Sequence, residues 1–180
     1  MKVVSIVGMA GSGKSEVARV FESTGFARVR FGDITDEEVG RRGLELNEQN
    51  ERQVRQQLRQ EHGMAAYAIL SLPRIDGLLK SGDVIVDGLY SWEEYLLLKD
   101  RYKDDFALVA VWASPETRYE RLTTRPVRPL TREEAVGRDV AEIENLNKGG
   151  PIAMADFTIM NGSSLEDLEK QTERVLAALK

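Results

Sequence analysis

Eight consecutive residues, Gly8, Met9, Ala10, Gly11, Ser12, Gly13, Lys14 and Ser15, have the types and spacing of a loop that wraps phosphates. They match G-x-x-x-x-G-K-[ST] without a mismatch, and they sit between a β-branched apolar run and a helical pattern, the context such a loop requires. The glycines let backbone N–H groups converge on an anion with no side chain between, and the start of the next helix adds partial positive charge. Lys14 has the reach for the outer phosphates of a nucleoside triphosphate, ATP first among them, and the Ser15 hydroxyl suits Mg2+. Glu16 closes the expected nucleotide-binding stretch.

A second chemical signal lies at VIVDG, residues 84–88, where a buried-type strand ends in Asp87 and Gly88. An acid at the tip of the strand facing a phosphate loop is expected to hold magnesium, directly or through water. TRPVRPL, residues 124–130, holds two prolines and two arginines, Arg125 and Arg128, and reads as a loop. Guanine chemistry is disfavoured. NKGG at 147–150 begins like the guanine-reading NKxD but has Gly150 where the acid belongs, and DGLY at 87–90 has Tyr90 in place of the second glycine of a γ-phosphate sensor. His62, the only histidine, reads as a surface residue at a helix end, and Trp92, Tyr95 and Trp112 read as packing residues.

These groups need strands that end where the loops begin. Residues 2–7, 26–31, 83–87, 106–113 and 157–160 read as strands, short and apolar, with turn residues at their ends. Between them lie helical patterns. Val17, Val20 and Phe21 mark the first, over 15–22. Thr35 with Glu38 predicts a capping box and a helix running toward Gly43, residues 47–62 a largely solvated helix touching the core through Val54 and Leu58, and 64–80 an apolar helix that Pro73 kinks or divides. Further capping boxes are predicted at Ser91 with Glu94 and at Thr131 with Glu134, and Ser114 caps a helix with Pro115 at its first position. Val136, Val140 and Ile143 form one apolar face, residues 148–151 break the pattern, and Leu165, Leu168, Val175, Leu176 and Leu179 stripe the last helix. Strands alternating with helices predict an α/β fold, a parallel five-stranded sheet with helices on both faces and its ligands at the carboxyl ends of the strands.

At 180 residues, 42% hydrophobic and 31% charged, the chain is sized and composed for one well-packed domain. With 25 basic and 30 acidic residues the net charge is -5, which disfavours non-specific binding to long nucleic acids. Without cysteine it can form neither disulfides nor thiolate metal sites, in keeping with a reducing cytoplasm. No stretch approaches the roughly 20 apolar residues of a membrane span, so no membrane partner is expected.

The order of these segments resembles the nucleoside monophosphate kinases, especially the adenylate-kinase-related proteins of archaea, and more distantly the dephospho-coenzyme A kinases. The resemblance runs over nearly the whole chain, through GMAGSGKSE, GD at 32–33, RRGLEL at 41–46, LRQEHG at 58–63, VIVDG, ASPETRYERL at 113–122, RD at 138–139, AD at 155–156 and Asn161. It implies a P-loop fold with a core of 1–34 and 81–180, a helical acceptor-binding insertion over about 35–80 and a short lid over about 124–130. It further implies that Arg121 stacks on adenine, that Arg125, Arg128 and Arg138 clamp the transferring phosphoryl group, and that Asn161 and Gly162 border the adenine pocket. Acceptor-site candidates are Asp33, Arg41, Arg42 and Arg59, with Asp87 and Gly88 at the strand end and Asp33 the candidate catalytic acid or base. The implied activity is transfer of the γ-phosphoryl group of Mg-ATP to a small nucleotide acceptor. Two departures bear on that acceptor: Tyr90 and Asp36 stand where the resembling kinases carry arginines. A hydroxyl kinase of the dephospho-coenzyme A type, with Asp33 as base, and a nucleotide-binding regulator without an acceptor are the alternatives.

Overall fold

The computed structural model describes residues 1–179. Five strands, β1 Val3–Val7, β2 Ala27–Arg30, β3 Val84–Asp87, β4 Phe106–Trp112 and β5 Phe157–Met160, form one parallel sheet in the order β2-β3-β1-β4-β5. Among the described residues nine α-helices accompany them: α1 Lys14–Ser23, α2 Gly32–Arg41, α3 Glu48–His62, α4 Ala66–Leu78, α5 Trp92–Tyr102, α6 Pro115–Thr124, α7 Arg132–Glu144, α8 Gly149–Ala153 and α9 Leu165–Ala178.

The central strands are apolar apart from Ser5 of β1 and the terminal Asp87 of β3, because both of their faces are covered. Side chains alternate across the pleat. Val3, Val7, Val84, Val86 and Leu108 enter a core shared with Val54 and Leu58 of α3, Tyr67 and Ile75 of α4 and Leu98 of α5. Val4, Ile6, Ile85, Val109 and Val111 enter the opposite core with Val17 and Phe21 of α1 and Leu168 and Val175 of α9. The register pairs Ile6 with Asp87, so the acid stands beside the end of β1, where the phosphate loop begins. Strand order reverses around β1, and the crevice at such a switch point is where open α/β sheets take ligands.

Three local expectations are corrected. The helix expected to start at Thr35 starts at Gly32 with no side-chain cap, because the Thr35 hydroxyl is buried at 2.7 Å from the Tyr67 hydroxyl instead. Helix α4 runs through Pro73 undivided. Pro73 and Ile69, whose carbonyl loses its donor, both lie on the exposed side, where water can satisfy it. Within the break expected over residues 148–151 the short helix α8 begins, at Gly149.

The largest correction concerns α7. Val136, Val140 and Ile143 are 41%, 45% and 53% exposed, and the inward positions are Ala135, Asp139 and Glu142. The helix turns its polar stripe inward because those carboxylates have buried cationic partners. Trp112, expected to pack, is 44% exposed at the end of β4, whereas Trp92 and Tyr95 do pack, with ring centroids 5.2 Å apart. Among the described residues no helix is long and apolar enough to cross a membrane.

Candidate functional site

The phosphate loop spans the gap between β1 and α1 and is held from behind. Gly11 has φ +78, and a Cβ there would lie 2.8 Å from the Arg118 carbonyl. Gly13 has φ +97, and its Cβ would collide with the Asn161 amide. Only glycine fits these two positions. Asn161 Nδ2 donates to the Ser12 carbonyl at 2.8 Å, and Arg121 donates to the Asn161 carbonyl at 3.1 Å and reaches the Gly11 carbonyl at 3.5 Å. Arg121 and Asn161, expected at the adenine side, thus both reach the loop; Gly162 is exposed just beyond.

Arg118 provides a second support that motif reading missed. Its guanidinium is buried, donates to both carboxylate oxygens of Asp139 at 2.8 and 2.6 Å, and also donates to the Ala10 carbonyl at 3.2 Å and the Ala113 carbonyl at 3.2 Å. A buried ion pair is stable only when its remaining donors are met, and here they are.

Lys14 lies folded onto its own loop, donating to the carbonyls of Gly8 and Met9 at 3.0 Å each. Burial, then the charge of Lys148, lower its pKa to about 7 against the pull of Glu142 and Asp87. Glu16 is turned outward to Arg19 at 2.7 Å. Asp87 is buried, and its Oδ2 accepts from Arg28 Nη2 at 2.5 Å, a partner on β2 that the sequence did not reveal. Its other oxygen and the exposed Ser15 hydroxyl are hard ligands of the kind Mg2+ takes, and the residues present fit that ion.

A cavity of about 1020 Å³ opens between α3, the 125–131 loop and α7, ample for a small-molecule ligand; no phosphate-loop residue lines it, but Arg138 and Glu142, which do, act on Lys14 by their charge. Seven arginines and five acids line it. Among them are the expected Arg59, Arg125, Arg128 and Arg138, together with Arg52 and Arg55, which the reading of α3 as solvated had passed over. Residues 52, 55 and 59 fall on one helix face, and periodicity alone cannot distinguish a face turned to water from one turned to a charged cavity.

Several of these charges are already matched. Arg128, at φ +54, places Nη1 2.7 Å from Glu51 Oε1, bridging the loop to α3. Arg55 reaches Glu48 at 2.7 Å and Glu51 at 3.4 Å, and Arg138 reaches Glu142 at 3.2 Å. Arg125 Nε donates to the Arg128 carbonyl. Arg59 lies over the Tyr67 ring at 5.3 Å, and its buried Nε has no acceptor among the described residues.

The remaining candidates are not brought to the cavity wall. Asp33 pairs with Arg30 at 2.8 Å, and Arg41 and Arg42 both pair with Glu38 at 2.6 Å. Gly88, at φ +100, turns the chain so that Tyr90 lines the cavity, stacked edge-on against Tyr67 with centroids 5.1 Å apart.

A family model described as an AAA domain (AAA_18) matches residues 4–145. A UPF0200 protein of Thermococcus kodakarensis is 38% identical over 178 residues, which covers 97% of this chain and 96% of the relative. Among solved structures, a shikimate kinase from Bacteroides thetaiotaomicron aligns with a TM-score of 0.63 at 15% identity over 99% of this chain and 98% of that one. A gluconokinase from Sinorhizobium meliloti aligns with a TM-score of 0.63 at 16% identity over 99% and 93%. At such identities the likeness is one of fold, here the α/β P-loop kinase-like fold.

Proposed function

From the premise that this chain belongs to the AAA_18 family and to the UPF0200 proteins, we propose that it is an ATP-dependent phosphotransferase acting on a small anionic acceptor, a nucleotide in the first instance. One observation carries the reading. Arg138, Glu142 and Tyr90 line the arginine-rich cavity, and the charges of Arg138 and Glu142 act on Lys14 of the phosphate loop. The outer phosphate held by that loop would therefore face the cavity in which an acceptor fits.

Phosphoryl transfer asks little covalent chemistry of the protein; it asks for in-line placement and neutralisation of charge on the equatorial oxygens. Backbone N–H groups of 8–15 cradle the phosphate chain, and Lys14 exchanges the Gly8 and Met9 carbonyls for phosphate oxygens. Ser15 and Asp87 would hold magnesium, whose charge adds to that neutralisation. Arg125 and Arg138 face the transferring group from the far side, while Arg52 and Arg59 meet the acceptor's anion. The 125–131 loop covers the cavity and keeps out water that would otherwise take the phosphoryl group. Asp33 pairs with Arg30 at 2.8 Å and does not line the cavity, so the hydroxyl-kinase alternative would require it to leave that partner before acting as base.

The test is coupled detection of ADP across AMP, CMP, UMP, dCMP and dephospho-coenzyme A, with Lys14→Ala as control. Turnover that requires one acceptor and disappears in Lys14→Ala supports the proposal. ATP binding with no acceptor-dependent turnover across the panel refutes it in favour of a nucleotide-binding regulator.

A further inference from the structure

Lys148 is 1% exposed and ranks among the largest fully buried side chains. An ammonium is rarely so buried, since it loses its hydration and regains only what its partners supply. The local backbone commits it to that place. Asn147 immediately before it has φ +50, and two residues on Gly150 packs so tightly on Trp92 that a Cβ would lie 2.7 Å from the indole. The Gly150 amide donates to the Asn147 carbonyl at 3.0 Å, closing a turn that carries Lys148 at the N-cap of the five-residue helix α8.

Its Nζ donates to Glu142 Oε2 at 2.8 Å and lies 5.4 Å from the centroid of the Tyr90 ring. Glu142 also accepts from Arg138 through Oε1 at 3.2 Å. Lys14 is the third cation acting on that carboxylate. Burial works to raise the Glu142 pKa, but Lys148 first, then Arg138 and Lys14, outweigh it and bring it to about 2. A permanently ionised carboxylate thus stands near the phosphate-loop lysine, and yet Lys14 rests on the Gly8 and Met9 carbonyls.

We infer that Lys148 is a positioning residue of the phosphate site: by holding Glu142 Oε2 it keeps that carboxylate from capturing Lys14, which stays free to turn onto an incoming phosphate. The inference rests on the reading that the loop binds ATP. Were Lys148 replaced by an apolar side chain, Oε2 would be left buried without its partner, and Lys14 is the cation at hand to meet it. A phosphate would then have to displace a buried carboxylate instead of two backbone carbonyls. Lys148 does not line the cavity; besides holding Glu142 it acts on Lys14 by its charge, which is why the double variant, with the same charge removed but no carboxylate left, is the control.

The experiment measures the affinity of a fluorescent ATP analogue in magnesium buffer, alongside thermal unfolding, for wild type, Lys148→Met, Lys148→Arg and the double variant Lys148→Met/Glu142→Gln. Lys148→Met is expected to weaken binding by about tenfold or more. Lys148→Arg, which can still hold Glu142, and the double variant, which has no carboxylate left to capture Lys14, are each expected to bind within about threefold of wild type. A lysine of purely structural value would lower the melting temperature without this pattern of rescue. Wild-type affinity in Lys148→Met, or a double variant as weak as Lys148→Met, overturns the inference. Should Lys148→Met fail to fold, the double variant decides: binding within threefold supports the inference and a tenfold loss overturns it. Wild-type protein that binds no ATP would sink the proposed function first, and this inference with it, a result distinct from the others.

Discussion

Glu94 is expected to make the fold less stable as pH rises from 5 to 8. Its Oε2 accepts from the amides of Tyr90 and Ser91 at 2.7 and 3.2 Å, which completes the capping box of α5, while its buried Oε1 has no partner among the described residues. Burial raises its pKa from 4.5 to about 7, outweighing those amides and the charges of Arg59 and Lys148. The folded state therefore holds a proton that the unfolded chain releases above 4.5, and stability is fully present below 4.5 and lost as pH rises through 7. Between pH 5 and pH 8 the loss integrates to about 2.5 kcal/mol. Glu94→Gln keeps the box, since glutamine serves at that position, and removes the titration. Urea unfolding of both proteins at pH 5, 6.5 and 8 should show the variant gaining on wild type by about that amount across the range. Other titrating groups cancel in the comparison. A constant difference at all three pH values would refute the premise that this carboxyl is ionised at a cost inside the fold.

Three further outcomes are expected. Arg118→Ala leaves Asp139 buried without its bidentate partner and should destabilise by about 3–5 kcal/mol, seen as a fall in melting temperature of roughly 10 °C. Gly13→Ala, strained at φ +97 and in collision with the Asn161 amide, should fold but lose the thermal stabilisation that Mg-ATP confers on wild type. Glu51→Gln weakens the bridge to Arg128 by about 1 kcal/mol, so amide exchange over 125–131 should accelerate about fivefold while the sheet stays protected.

The sheet and the phosphate loop were legible because their signals are local. A strand buried on both faces needs an unbroken apolar run, and a phosphate cradle needs glycines at set spacings. The boxes at Ser91 and Thr131 form as read; the Ser91 hydroxyl also donates to the Met64 carbonyl at 2.7 Å, which leaves its oxygen free to accept from the Glu94 amide. Thr35 has the same spacing to Glu38, but its hydroxyl goes to Tyr67, 32 residues away, a competitor invisible in a local window. Helix α7 misled for a related reason: its apolar residues were assigned inward by default, whereas Arg118, 21 residues before Asp139, and Lys148, just beyond the end of the helix, draw Asp139 and Glu142 inward instead. The role of Arg28 likewise shows only once β2 is placed beside β3, which brings it to Asp87. Lys148 was visible only as the second letter of a guanine motif that fails at Gly150. Each miss is a polar side chain whose partner lies on another element, and burial of charge depends on that partner.

The two outer strands of the sheet, β2 and β5, are only four residues long, and β2 bears arginines at both Arg28 and Arg30. An open strand flank is a template on which another chain can zip up its backbone. Here any incoming strand at the β2 side would meet guanidinium groups already committed to Glu22, Asp87, Asp33 and Asp36. The same charges that steady Asp87 thus also make the β2 flank a poor template for an added strand.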